Sequence, residues 1–239
     1  MAILPFPYSH DGAQLRGYVS LPENLNRKVP GVLVVPDFMG PDTSRVQLRA
    51  EGIAALGYAS LVVDMYGLGR VPASREEAGT FMAPFRSDRN FLRARVLAAY
   101  SALRAHPSVD PDRIAIMGYC FGGGCSLELA RTGAALRGAV SIHGNLDTPL
   151  PAEANKVSAK ILVLHGDLDP LTTAVQMSDF MNEMRAAHID WQVVYYSGAK
   201  HGFTNPEADA IGSPAVAYNA LADRRSQTAV RDFLAEVFA

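Results

Sequence analysis

Short apolar runs recur along the 239-residue chain, and most of them end at a glycine, an aspartate or a histidine. Continuous apolar runs of this length are typical of parallel strands that are buried on both faces. The clearest runs span residues 30–37, 58–65, 113–118, 138–144 and 160–166. The predicted sheet is completed by three further runs, at residues 3–8, 14–20 and 191–196.

The segments between these runs show helical patterns. Apolar positions at helical spacing predict a helix over residues 87–105. Thr173 and Gln176 have the spacing of a capping box, which predicts a helix from there to about residue 188. Ser213 followed by Pro214 predicts the start of the last helix. The apolar stripe of that helix is formed by Val230, Phe233, Leu234 and Val237.

The alternation of strands and helices predicts a doubly wound α/β architecture, in which helices flank a mostly parallel sheet. We find no internal repeat or linker-like segment and expect one domain over residues 1–239. In folds of this kind the ligand site lies outside the carboxyl ends of the strands. We therefore expect the catalytic or ligand-binding residues at that edge of the sheet.

Composition excludes several classes of function. The net charge is −2 and no cluster of basic residues indicates a nucleic-acid partner. No apolar stretch approaches the ~20 residues that a membrane-spanning helix needs. The first residues do not resemble a signal peptide and the chain has only two cysteines, so we expect a cytoplasmic protein with free thiols. No metal-binding or dinucleotide-binding spacing is present, so we expect no cofactor.

The stretch AIMGYCFGGGCS, residues 115–126, carries the strongest chemical signal. It places Cys120 between two glycines directly after a predicted strand, where many hydrolases have G-x-S-x-G. That motif forms a sharp turn that exposes its central side chain, and the helix N-terminus that follows favours a thiolate. Cys125 lies further into the helix and is expected to pack. Close approach of helix and strand is the expected reason for Gly122–Gly124.

Two further residues follow predicted strands in the order that a catalytic triad needs. Asp169 lies in HGDLDPL and His201 lies in GAKHGF. With Cys120 they form the chain order nucleophile, acid, histidine. Cys120 would attack, His201 would exchange protons, and Asp169 would orient the imidazole. Asp167 competes for the role of acid, and we favour Asp169 because it precedes a proline in the turn.

Acyl transfer also needs hydrogen-bond donors for the developing oxyanion. The backbone N–H of Phe121, directly after the nucleophile, is the first candidate. The loop VVPDFMGPD after an early strand supplies the second, the N–H of Phe38.

At these residues the sequence resembles the dienelactone hydrolase family of α/β-hydrolases. The resemblance spans nearly the whole chain and is carried by GYCFGGG, HGDLDPL, AKHGFTNP, VVPDFMG and DMYGLG. It implies an α/β-hydrolase fold and the opening of small lactones or esters without a cofactor. It also implies that Cys120, Asp169 and His201 are the triad, and that Phe38 and Phe121 form the oxyanion hole.

The resemblance has one departure. The family often has a glutamate just before the oxyanion-hole residue, where it holds the resting nucleophile, and this chain has Asp37. No residue matches the family's carboxylate-binding arginine securely, although Arg86 and Arg89 lie near the right region. Further candidates for contact with the substrate or the nucleophile are Tyr66, Tyr119 and Phe203. We expect irregular segments at residues 66–90 and 203–218 to shape the pocket.

Two other functions remain open from the sequence. The same triad could serve a thioesterase or a peptidase. Alternatively, the chain could be a non-catalytic relative that binds a small hydrophobic ligand, although all three triad members are present.

Overall fold

The structure, a computed structural model, describes residues 2–239. Its centre is an eight-stranded sheet with the strand order β1-β2-β4-β3-β5-β6-β7-β8. The strands are β1 (Ile3–His10), β2 (Ala13–Ser20), β3 (Val29–Val35), β4 (Ala59–Val62), β5 (Val109–Tyr119), β6 (Gly138–Ile142), β7 (Lys160–Gly166) and β8 (Trp191–Tyr196). β1 and β2 pair antiparallel at one end, and the strands from β4 to β8 are parallel. This confirms the predicted α/β fold.

Helices cover both faces of the sheet. They are α1 (Ser44–Ala55), α2 (Arg75–Ser87), α3 (Arg89–Arg104), α4 (Phe121–Arg131), α5 (Ala174–Ala186) and α6 (Ala220–Val237). Side chains of α2, α3, α4 and α5 form the core on one face, and those of α1 and α6 form the core on the other. Because successive strand residues point to opposite faces, Ile116 and Met117 of β5 belong to different cores.

The segment at residues 66–90 is more regular than we predicted, and the helix expected over residues 87–105 starts later. Residues 75–87 form α2, and α3 begins only at Arg89. Asp88 separates the two helices because its side chain accepts a hydrogen bond from the backbone N–H of Phe91 and so caps α3. Ser74 caps α2 in the same way, and Pro84 lies near the C-terminal end of α2.

The prediction that Ser213 and Pro214 start the last helix is wrong. That helix, α6, begins at Ala220 and is capped by Asn219. Pro214 and Ala215 instead form a turn that leads into Val216, whose flanking backbone pairs with His201. The His201 N–H donates to Ala215 O at 3.1 Å, and the His201 carbonyl accepts from the Ala217 N–H at 3.2 Å. The segment at residues 203–218 is otherwise irregular as expected, with one short 3₁₀ turn at Ala208–Ile211.

Candidate active site

The turn between β5 and α4 forces Cys120 into an unusual backbone conformation. Its φ is 53° and its ψ is −115°, a region that costs free energy for any residue with a side chain. Glycines make the turn sterically possible. A Cβ on Gly118 would lie 2.0 Å from Gly122 O, and a Cβ on Gly122 would lie 2.2 Å from Val35 O. The two glycines of G-x-C-x-G are therefore required by close backbone approach.

The structure brings the three predicted triad residues into one chain of contacts. Cys120 Sγ lies 3.1 Å from His201 Nε2, and His201 Nδ1 lies 2.9 Å from Asp169 Oδ2. Asp169 and His201 are buried, whereas Cys120 is half-buried and faces a cavity. This arrangement can carry a proton from the thiol to the imidazole and hold the resulting charge beside a carboxylate.

The electrostatics of the site favour a charged His201. Burial on its own lowers the pKa of this imidazole, but the hydrogen bonds and charges of Asp169 and Cys120 outweigh burial and raise the pKa to about 10. The site is therefore suited to hold a protonated His201 at neutral pH.

The turn after β7 decides between the two candidate acids. Asp167 is exposed, whereas Asp169 is buried and reaches His201. The other carboxylate oxygen of Asp169 accepts the backbone N–H of Leu171 at 2.9 Å. Both oxygens thus have partners, which fixes the carboxylate against the imidazole.

A second buried histidine, His143, supports the loop that carries His201. Its Nε2 lies 2.9 Å from Thr204 Oγ1, and its ring packs edge-to-face on the His201 ring with centroids 5.1 Å apart. Burial, followed by the positive charge of His201, lowers the pKa of His143, so we treat it as neutral. The sequence analysis assigned no role to His143. Its one signal was its place at a strand end before a glycine.

Tyr66 supports the loop that carries Phe38, the predicted oxyanion donor. The hydroxyl of Tyr66 donates to Phe38 O at 2.8 Å, and its ring stacks on Phe121 with centroids 6.4 Å apart. Asp64 anchors Tyr66 by accepting its backbone N–H at 2.9 Å. Phe121 is the first residue of α4, so its N–H has no acceptor within the helix and is free to bind an oxyanion.

Asp37 has other partners than the nucleophile. Its Oδ1 accepts the Met39 N–H at 2.9 Å, and its Oδ2 accepts from Arg45 Nη2 at 2.5 Å. Arg45 also donates to Asn205 Oδ1 at 2.8 Å, which connects the loop that follows β3 to the loop that follows His201. Asp37 thus anchors a loop here, and Cys120 instead contacts His201. The sequence analysis missed Arg45, whose partner Asn205 is 160 residues away along the chain.

The cavity at Cys120 has a volume of about 330 Å³. Of the remaining predicted residues, Asp37, Arg86, Arg89 and Tyr119 line it, and Arg86 is exposed. Burial raises the pKa of Tyr119 to about 12, which keeps its hydroxyl neutral. The expectation of a substrate contact for Phe203 is not supported, since this side chain is fully buried beneath His143.

One end of the cavity is bounded by a compact network of charges. Arg89 lies 3.4 Å from Asp147 and 3.9 Å from Glu128. Glu128 is buried and also pairs with Arg93 and Arg131. Arg131 in turn reaches Glu183 at 2.8 Å. Three arginines thus face three carboxylates, so the charges of this network balance.

Two other kinds of site find no support in the structure. Within residues 2–239, no group of three or more histidine, cysteine, aspartate or glutamate side chains is placed to hold a metal ion. No helix in the same range has the length and apolar character to cross a membrane.

Comparison with protein families decides the affiliation. The model of the dienelactone hydrolase family matches residues 15–238. The chain belongs to the dienelactone hydrolase family. This membership confirms the resemblance found in the sequence and makes the chain a hydrolase of carboxylic ester or lactone bonds.

Individual proteins are also similar to this chain. An uncharacterised protein of Caenorhabditis elegans is 40% identical over 158 residues, which are 64% of this chain and 99% of that protein. A probable 2-oxo-3-(5-oxofuran-2-ylidene)propanoate lactonase of Bradyrhizobium sp. is 29% identical and covers 84% of this chain and 83% of its own length. The crystal structure of a dienelactone hydrolase-like promiscuous phosphotriesterase from metagenomic libraries has a TM-score of 0.94 and 35% identity, with 100% of this chain and 99% of that chain covered.

Proposed function

We propose that this chain opens a small lactone or ester through a Cys120–His201–Asp169 triad and an acyl-cysteine intermediate, without a cofactor. The observation that carries the proposal is the chain of contacts from Cys120 Sγ through His201 to Asp169 at the edge of a cavity. Family membership and the lactonase described from Bradyrhizobium sp. support this substrate class.

The first half of the reaction forms the acyl-enzyme. The Cys120 thiolate attacks the carbonyl carbon, and the carbonyl oxygen becomes an oxyanion that accepts hydrogen bonds from the N–H groups of Phe38 and Phe121. The C–O bond then breaks, and the His201 imidazolium gives its Nε2 proton to the leaving oxygen. In a lactone this hydroxyl stays attached to the acyl group.

The second half releases the product. Neutral His201 takes a proton from water, and the hydroxide attacks the thioester carbon. The tetrahedral intermediate collapses, the C–S bond breaks, and the Cys120 thiolate re-forms beside the His201 imidazolium. Asp169 holds Nδ1–H throughout, so that Nε2 faces the sulfur and exchanges the proton.

The test is hydrolysis of p-nitrophenyl acetate and of a five-membered lactone by the wild type and by Cys120→Ala. We expect the substitution to abolish turnover and the mass of an acetylated Cys120 to disappear from rapidly quenched samples. A Cys120→Ala variant that keeps full turnover would refute the proposal.

A substrate panel separates the other functions of the same triad. It contains a thioester, an amide and, because one structural relative is a promiscuous phosphotriesterase, a phosphotriester. We expect the ester and the lactone to give the highest kcat/KM, since a thiolate expels an alkoxide more readily than an amide nitrogen. A wild type that binds these compounds, turns over none and resists iodoacetamide at Cys120 would instead be a binding protein.

A further inference from the structure

Three consecutive glycines follow Phe121 in the first turn of helix α4, and packing explains only two of them. A Cβ on Gly122 would lie 2.2 Å from Val35 O, and one on Gly123 would lie 2.8 Å from Gly144 Cα. A Cβ on Gly124 would meet Asn145 O at 3.4 Å and Asn145 Cβ at 3.8 Å, which are ordinary van der Waals distances. Neighbouring backbone therefore leaves room for a side chain at Gly124.

The backbone of Gly124 does not require glycine either. The residue lies within α4, and its N–H donates to Cys120 O at 3.3 Å, a helical hydrogen bond. Glycine is a poorer helix former than alanine. The glycine at this position therefore lowers the stability of the helix without a compensating contact.

The position of Gly124 in the cavity supplies a reason. Three residues at four-residue spacing line the cavity: Cys120, Gly124 and Glu128. Residues with this spacing lie on the same face of a helix. From the helix rise, each step along this face is roughly 6 Å. A side chain on Gly124 would therefore stand midway between the nucleophile and the charged network around Glu128.

We propose that Gly124 is a specificity-determining residue: because it has no side chain, a passage along α4 stays open for an extended substituent of the ester or lactone. Leu92 and Phe121 also line the cavity here and give the passage apolar contacts. The charged network around Glu128 bounds the far end of the passage. This inference rests on the proposed function for the identity of the reacting group.

The experiment compares wild type with Gly124→Ala on two series of substrates. The acyl group grows in p-nitrophenyl acetate, butanoate and hexanoate, and the alcohol grows in methyl, butyl and hexyl acetate. In one of the two series, we expect the kcat/KM of Gly124→Ala for the longest member to be about 10-fold or more below that of the wild type. Hydrophobic pockets discriminate by such factors per methylene-sized group. The shortest member should change by less than about twofold. An unchanged profile in both series would overturn the proposal.

Stability and a matched control separate this effect from damage to the fold. Gly124→Ala should raise the melting temperature by about 2–4 °C, because a helical glycine is replaced by alanine. Gly79→Ala in α2 is the control, since a Cβ there meets nothing within 4 Å and Gly79 lies outside the cavity lining. It should raise the melting temperature similarly and leave both series unchanged. A lower melting temperature for Gly124→Ala would contradict the stated steric room.

A second measurement does not depend on hydrolysis. Cys120 is alkylated with iodoacetamide and with N-hexyl iodoacetamide, and the two second-order rate constants are compared. Gly124→Ala should slow only the hexyl reagent, and equal slowing of both reagents would refute the passage. A wild type without turnover would refute the proposed function, while this alkylation ratio would still decide on Gly124.

Discussion

Replacing Asp169 by asparagine removes one negative charge from the site and changes little else in shape. In Asp169→Asn the side-chain carbonyl oxygen can still accept the Leu171 N–H, which Asp169 Oδ1 accepts at 2.9 Å. The atom facing His201 Nδ1, however, becomes an amide nitrogen that donates. His201 must then accept at Nδ1 and carry its proton on Nε2, so that it cannot take a proton from Cys120.

The structure sets the scale of this effect. The difference between the ordinary imidazole pKa of 6.5 and the value of about 10 at His201 corresponds to about 5 kcal/mol in favour of the charged form. Asp169 and Cys120 share this stabilisation and both oppose the cost of burial. If Asp169 supplies about half, its loss costs roughly 2–3 kcal/mol, or about 10²-fold in rate. Because His201 is also held in the wrong tautomer, the loss in rate extends toward the roughly 10⁴-fold loss known for serine-protease triads.

The assay is the pH dependence of kcat/KM on p-nitrophenyl acetate. For the wild type we expect activity to decline on the alkaline side near pH 10, where His201 loses its proton. Since Asp169 raises the pKa of His201, its removal lowers that pKa, and the alkaline decline of Asp169→Asn should start at lower pH.

Asp167→Asn is the matched control, because this side chain is two residues away and exposed. It should keep the rate within about twofold and the wild-type pH profile. A full rate with an unshifted profile in Asp169→Asn, or a large loss in Asp167→Asn alone, would show that the assignment of the acid is wrong.

Two further substitutions test the surroundings of the nucleophile. Tyr66→Phe removes the hydrogen bond to Phe38 O. We expect kcat to fall by about 10-fold at unchanged KM, because the proposed oxyanion donor Phe38 loses its support. A change in KM alone would place Tyr66 against the substrate instead. Cys125→Ala should keep kcat and lose about 1–3 kcal/mol of stability in urea unfolding, because this fully buried thiol packs in the core. In the wild type, iodoacetamide should label Cys120 before Cys125, whose pKa burial raises, and preferential labelling of Cys125 would contradict its burial.

Most of the fold could be predicted from the sequence because its signals are local. Strands buried on both faces appear as continuous apolar runs, and β3 and β7 start and end within two residues of their predicted bounds. The capping box at Thr173 is also a local signal in the sequence, and α5 starts there as predicted. The predicted start of the last helix failed for the opposite reason. Pro214 fits a helix start locally, but the backbone around it pairs with His201.

The same distinction between local signals and long-range contacts holds for the candidate site. The sequence by itself determined that Cys120 lies on a tight turn and that a carboxylate and a histidine follow later strands, because strand order and turn chemistry are written locally. Only the tertiary structure decided that Asp169 contacts the histidine, that Asp37 binds Arg45, and that Gly124 faces open cavity. These facts depend on atoms that meet through space, as with Arg45 and a partner 160 residues away. The periodicity of residues in a single sequence carries no signal for such long-range contacts.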